Sequence, residues 1–201
     1  LILGSGGREH AFAYKIKQST LCKNLYVAPG NSGTREIATN LQFQVHQFKD
    51  IVEAIKKFEI KMVIIGPEVP LVNGLSDYIS ANDEAKETIV IGPNKYASQL
   101  EGSKDFAKEF LNRHNIPTAS HKTFTAENIN DAFSYIDSMI PPYVLKADGL
   151  AAGKGVLIID NPNEAKNELK EMLLNSKFGD ARQEELKSFK ILNFFIFFNK
   201  R

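Results

Sequence analysis

Short, continuously apolar runs punctuate the first hundred residues, and each runs straight into a loop built on glycine or proline. They are Leu1-Ile2-Leu3, Leu25-Tyr26-Val27, Met62-Val63-Ile64-Ile65 and Ile89-Val90-Ile91. The loops that follow them are Gly4-Ser5-Gly6-Gly7, Ala28-Pro29-Gly30-Asn31, Gly66-Pro67-Glu68 and Gly92-Pro93-Asn94. Runs without polar alternation belong to strands buried on both faces, as in parallel sheets, and amphipathic segments near 9–18, 49–58 and 72–82 supply crossover helices. The pattern predicts an α/β fold with an open, parallel, Rossmann-like sheet. In such sheets ligands occupy the crevice beyond the carboxyl ends of the strands, so these loops mark a binding edge before any motif is considered.

After Asn94 the pattern changes. A helix carrying Phe106, Phe110 and Leu111 at helical spacing follows Gly102-Ser103 and ends near Asn115, ahead of Pro117. A helical stretch at 126–138, strands at 143–147 and 156–159 around a glycine-rich turn, and a helix at 164–174 complete an α+β arrangement. A boundary at 97–103 separates a domain at 1–97 from a second region at 98–181, and residues 182–201 stand apart as a tail.

Charge and cysteine usage narrow the partners. The chain has 25 Lys+Arg against 24 Asp+Glu, a balance without the basic excess of a nucleic-acid-binding surface. No run approaches the roughly 18 apolar residues that cross a bilayer. Cys22 is the only cysteine; it has no internal disulfide partner and no zinc-type spacing, and its place at a helix end reads as a structural thiol. A cytoplasmic protein with neither membrane nor nucleic-acid partner is expected.

The first glycine loop, Gly4-Ser5-Gly6-Gly7-Arg8-Glu9-His10, follows a strand and opens a helix, where free N–H groups and the absence of Cβ atoms favour an anion such as phosphate. A dinucleotide fingerprint would have glycine at position 9 and an acidic residue about 20 positions on. Position 9 is Glu9, and the next Asp or Glu is Glu36. The small-residue loop at 28–34 suits a compact ligand, so a sugar phosphate is favoured over NAD. Glu9 and His10 read as helix-start residues satisfying orphan amides, and Arg8 as solvated. Glu68, at the carboxyl edge of a strand, either accepts hydrogen bonds from ligand hydroxyls or an amine, or is a helix-start charge.

The second glycine loop lies in Tyr143-Val144-Leu145-Lys146-Ala147-Asp148-Gly149-Leu150-Ala151-Ala152-Gly153-Lys154-Gly155-Val156. A P-loop has four residues between its glycines, then Lys-Ser/Thr and a helix; here three residues separate Gly149 from Gly153, and a strand follows Gly155. A glycine hairpin of this kind can close over a polyphosphate, with Lys154 adding charge. Lys146, in an otherwise apolar strand, must reach an anion or water to escape desolvation. Lys104 opens a helix whose dipole disfavours a cation, so it is either matched by an anion or solvated.

With both loops in place, the chain resembles the glycinamide ribonucleotide synthetases, or phosphoribosylamine–glycine ligases, of purine biosynthesis, which are ATP-grasp enzymes. The resemblance rests on GSGGREHA at 4–11, APGNSGT at 28–34, IGPEVPLVNGLSD at 65–77, GP at 92–93, LEGSKDFAKEF at 100–110, IPTA at 116–119 and VLKADGLAAGKGV at 144–156. It implies ligation of glycine to 5-phosphoribosylamine with cleavage of ATP to ADP and phosphate through a glycyl phosphate. It further implies that Gly4, Gly6, Gly7, Gly30, Asn31 and Glu68 hold phosphoribosylamine, and that Lys104 and Lys146 bind ATP phosphates and neutralise the transferring phosphoryl group. On the same resemblance Gly149, Gly153, Lys154 and Gly155 form a flap over the nucleotide with Asp148 at its base, and region 98–181 is a partial ATP-grasp domain.

Past Ala181 the resemblance stops. The family continues into a Val/Ile-rich strand with nucleotide-contacting glutamates and then the Mg²⁺ ligands, whereas this chain has Arg182-Gln183-Glu184-Glu185 and a segment holding five of its 14 phenylalanines. The tail is expected to be disordered or the product of out-of-frame translation, and the chain to be a natural start trimmed to Leu1, without its metal ligands and without turnover. The alternative reading is a non-catalytic module that binds a sugar phosphate or nucleotide.

Overall fold

The computed structural model describes residues 1–118, 121–147, 156–174 and 189–193. Two compact units divide at Gly102 and Ser103.

The first unit is built on five parallel strands, β1 (Ile2–Gly4), β2 (Tyr26–Pro29), β3 (Thr39–Asn40), β4 (Met62–Ile65) and β5 (Ile89–Ile91), in the order β3-β2-β1-β4-β5. Helices α1 (Gly7–Lys17), α2 (Ser32–Arg35), α3 (Phe48–Lys57), α4 (Glu68–Val72), α5 (Leu75–Ala81) and α6 (Lys95–Gly102) connect and follow them. Alternate residues of each strand face opposite sides, so one sheet buries two cores. Leu3, Val63 and Ile65 meet Ile51 and Ile55 of α3 and Leu75 and Ile79 of α5, while Ile2 and Val27 meet Ala13 of α1 and Leu25. Helix α3 places Ile51, Val52, Ala54 and Ile55 on its buried stripe, the spacing expected of a helix laid on a sheet. The periodic segment at 72–82 is two helices, because Asn73 ends α4 and Gly74, at φ 89°, starts α5.

The second unit pairs four strands, β6 (His121–Phe124), β7 (Tyr143–Ala147), β8 (Val156–Ile159) and β9 (Phe189–Asn193), in the antiparallel order β6-β9-β7-β8. Helix α7 (Lys104–Arg113) precedes the sheet; a 3₁₀ turn at Ala126–Asn128 leads into α8 (Ile129–Ser138), and α9 (Pro162–Leu174) follows β8. The core gathers Phe124, Ala132, Ile136, Tyr143, Leu145, Ala165, Leu169, Met172 and Ile191.

The expectation of a disordered 182–201 tail does not hold for Phe189–Asn193. Ile191 is fully buried and its register partners are Lys122 on β6 and Leu145 on β7, so this segment is an internal strand. The physical reason is ladder pairing on both edges together with burial of the central isoleucine, neither of which depends on similarity to the family's sequence at that place. Among the described residues no helix is long and apolar enough to cross a membrane.

Candidate functional site

The strand order of the first unit reverses beside β1: the chain moves outward to β2 and β3, then returns to lay β4 and β5 on the other side. The loops after β1 and β4 therefore diverge and leave a crevice at the switch point. Gly4, Gly6 and Gly7 sit on one side of it, Gly66 and Glu68 on the other, and the Gly30-Asn31 loop after β2 borders the first. The loop glycines called from the sequence are thus brought to one sheet edge.

Helix α1 begins after Gly6, and Glu9 in its first turn folds back so that Oε2 accepts the Gly6 N–H at 2.6 Å. This is the carboxylate half of a capping box. The rest of Glu9 was not expected from the sequence. The residue is only 4% exposed, and Oε1 is buried with no hydrogen-bond partner among the described residues. It lies in a cradle that side chains would close: a Cβ on Gly66 would stand 2.2 Å from Oε1, one on Gly4 2.6 Å from Cγ, and one on Gly6 2.9 Å from Oε2. The reading of Glu9 as a helix-start residue that satisfies an orphan amide is met at Gly6, whose N–H it holds.

Asn31 locks the second loop to the first. Its Nδ2 donates to the Ser5 carbonyl at 2.9 Å, and its Oδ1 accepts the Thr34 N–H at 2.9 Å. Behind it Asn40, the last residue of β3, donates through Nδ2 to the Asn31 carbonyl at 2.8 Å and accepts the Thr34 hydroxyl at 2.9 Å. Gly30 is in the left-handed region at φ 71°, and a Cβ there would also stand 2.5 Å from Asn40 Oδ1, so both conformation and space call for glycine. His10 packs its ring under Gly33.

Across the crevice Arg8 and Glu68 approach to 3.5 Å with both side chains substantially exposed, a pair of the kind that contributes about 0–1 kcal/mol and can be opened by a ligand. Together with Gly66, Pro93, Ser98 and Glu101 they line a cleft of about 320 Å³, within the size range of small-molecule sites. A slightly larger cleft of about 400 Å³ lies at the opposite, amino-terminal edge of β2 and β3, lined by Lys17, Lys23, Arg35 and Thr39 and remote from the glycine loops.

In the second unit Lys104 is the first residue of α7, behind Ser103, whose Oγ accepts the Phe106 N–H at 3.2 Å. Asp105 ties this first turn to β6 by accepting the Thr123 hydroxyl at 2.7 Å. Lys146 is half-buried in β7 beside fully buried Leu145, at the register position facing Val156 on β8 and Lys190 on β9. The setting fits the desolvation argument, since a lysine so placed needs an anion or water at its tip. Asp148, Gly149, Gly153, Lys154 and Gly155 lie outside the described residues. Among the described residues no cluster of His, Cys, Asp or Glu could hold a metal ion.

Sequence reasoning read Glu9 as a cap but not as a buried carboxylate, and it assigned no part to Asn40 or Thr34. The spacing of Glu9 from Gly6 signals a cap, but nothing local signals that the far oxygen would be buried against Gly66. Asn40 sits on a strand of only two residues, too short to announce itself.

Comparison with known proteins places both units. The family described as "Phosphoribosylglycinamide synthetase, N domain" matches residues 1–101, and "Phosphoribosylglycinamide synthetase, ATP-grasp (A) domain" matches residues 102–186. Phosphoribosylamine–glycine ligase of Neisseria meningitidis serogroup B is 44% identical over 183 residues, covering 90% of this chain and 41% of the relative. The ligase of the same name from Listeria monocytogenes is 46% identical over 184 residues, covering 90% of this chain and 42% of the relative. The chain thus spans about two fifths of the length of the curated relatives it matches. The crystal structure of phosphoribosylamine–glycine ligase from Thermotoga maritima superposes with a TM-score of 0.71 at 29% identity, covering 96% of this chain and 42% of that one. The biotin carboxylase domain of Hydrogenobacter thermophilus 2-oxoglutarate carboxylase, solved with MgADP, superposes at 0.65 with 17% identity over 94% of this chain and 43% of that one, a likeness of fold.

Proposed function

The chain belongs to the phosphoribosylglycinamide synthetase family, and on that premise we propose that its two units are the sugar-phosphate-binding and nucleotide-binding parts of an ATP-dependent ligase joining glycine to 5-phosphoribosylamine. The observation that supports this reading is that the β1, β2 and β4 loops border one crevice, the first two tied by Asn31 and the first and third in contact where Glu9 lies against Gly66. Gly4, Gly6, Gly7, Gly30 and Asn31 line up backbone along a compact polar ligand, and Glu68 offers an acceptor to its hydroxyls or amine. Asn31 and Asn40 hold the loops in place before the ligand arrives, so binding orders little that is not already ordered.

On the nucleotide side the donor set fits ATP: Lys146 brings a cation to the edge of an apolar strand, and Lys104 brings another to the start of α7. Bound ATP supplies activation of a carboxylate by phosphoryl transfer. Lys104 and Lys146 offset charge on the phosphates, and fixed cations in a partly desolvated position do so more effectively than solvent. Asp148, Gly149, Gly153, Lys154 and Gly155 are proposed to close over the phosphates, a reading supported by the resemblance of VLKADGLAAGKGV to the family pattern. Mg²⁺ enters the proposal with the nucleotide, and no described residue is assigned to it.

Calorimetric titration of the 201-residue chain with ribose 5-phosphate and, separately, with ATP tests this reading. Binding of ribose 5-phosphate that is weakened by Asn31→Ala is expected. Failure of ribose 5-phosphate to bind the unaltered chain would overturn the assignment of the crevice.

A further inference from the structure

The first glycine loop contains a carboxylate where an anion site would be simplest without one. Helix α1 is 11 residues long, and the amides of its first turn have no intrahelical acceptor, an arrangement that ordinarily attracts phosphate. Yet Glu9 occupies the Gly6 amide at 2.6 Å, is 4% exposed, and keeps a second oxygen buried without a partner among the described residues. A phosphate accepting the same loop's amides would stand beside this carboxylate, and like charges at such short range repel. Across the crevice Glu68 adds a second carboxylate, and Arg8, the guanidinium at this edge, already faces it at 3.5 Å. The crevice between β1 and β4 is therefore electrostatically suited to groups that donate hydrogen bonds.

We propose that Glu9 sets the orientation of the ligand: its buried carboxylate directs the first glycine loop toward the hydroxyl and amine end of the sugar and keeps the phosphate off that loop. The proposal rests on the sugar-phosphate reading above and adds to it which end of the ligand faces which loop. Glu9 acts as a specificity-determining positioning residue. Gly4, Gly6 and Gly66 are its requirement, because a Cβ at any of them would overlap the carboxylate or its stem.

The test uses the whole chain and two probes, ribose 5-phosphate and inorganic phosphate, with Glu9→Gln, which keeps the shape and removes the charge. Ribose 5-phosphate is expected to bind the variant about five-fold more weakly, through loss of the carboxylate's attraction for the donor end of the ligand, while inorganic phosphate binds no less tightly. Tighter binding of ribose 5-phosphate to the variant, or equal weakening of both probes, overturns the proposal. Should the variant fail to fold, amide spectra of the ¹⁵N-labelled unaltered chain decide the matter. Ribose 5-phosphate is then expected to shift the Ser5, Gly6 and Gly7 amides and inorganic phosphate to leave them in place; equal shifts by both overturn the proposal. Absence of any ribose 5-phosphate binding to the unaltered chain would instead remove the sugar-phosphate reading itself, and this inference with it.

Discussion

Replacing Gly66 with alanine isolates the contact on which the crevice depends. Gly66 does not have a left-handed φ, so the substitution carries no backbone strain, and its cost comes from space alone. The added Cβ would stand 2.2 Å from Glu9 Oε1 and 2.8 Å from Cδ and Cγ, distances real Cβ atoms do not show. Glu9 cannot swing into solvent cheaply, because it is 4% exposed and held at Oε2 by the Gly6 amide at 2.6 Å. Either the hydrogen bond to a charged acceptor breaks, at about 1.5–3 kcal/mol, or β4 shifts against β1 with an overpacking cost of about 1–3 kcal/mol. Urea denaturation read by a probe of the first unit should therefore show a loss of about 2–3 kcal/mol. The decisive measurement is the double-mutant cycle with Glu9→Ala. Once the carboxylate is gone, Gly66→Ala should cost less than about 0.5 kcal/mol, giving a coupling of about 2 kcal/mol between the two positions. A Gly66→Ala cost that is the same with and without Glu9 would refute the cradle and the reasoning built on it.

Other consequences are open to direct measurement. In a chain that starts at Leu1, burial lowers the amino group from 8.0 to about 6, so between those pH values the unfolded chain binds a proton that the folded one does not. Stability should then rise from pH 6 to pH 8 by about 2 kcal/mol and stay low below pH 6, and acetylation of the amine should flatten the profile in urea titrations at the two pH values. Asn40→Ala removes the hydrogen bonds to Asn31 and Thr34 at 2.8 and 2.9 Å and should cost about 1–2 kcal/mol while weakening ribose 5-phosphate in calorimetry; unchanged affinity would count against preorganisation of the second loop. Lys146→Ala should weaken ATP about ten-fold or more, measured by the same titration, and leave ribose 5-phosphate unaffected. Ile191→Ala, at a fully buried strand position, should destabilise the second unit by about 2–4 kcal/mol in denaturant, and a loss below about 0.5 kcal/mol would show that the strand is not packed.

What could be read from the residues depended on how local the cause was. The parallel sheet followed from apolar runs ending in glycine or proline, since burial on both faces and loop chemistry are written within a few residues of each strand. Helix α7 was legible from Ser103 and the Phe106, Phe110 and Leu111 spacing. By contrast β3 and β6 went unread, the first because Thr39–Asn40 is too short to show a period, the second because His121-Lys122-Thr123-Phe124 has one buried residue, Phe124. Strand β9 went unread because its neighbouring phenylalanines and lysines look foreign to the rest of the chain, while its place is decided by partners far back in the sequence. The crevice shows the same division. Its glycines were visible, but the burial of Glu9 is produced by Gly66 across the switch point, and no local pattern encodes that.

The position of β9 has a consequence for the order in which the molecule can form. Strands β6 and β7 do not pair with each other; each pairs with β9, which is made last among the described strands. During synthesis the first unit holds all five of its parallel strands once Ile91 has emerged, whereas β6 has no ladder partner until Asn193 has. The first unit can thus become compact while β6 of the second is still unpaired, until β9 slots between β6 and β7. An arrest series read by protease resistance would see the two units harden at separate chain lengths, with the later step set by a single five-residue strand.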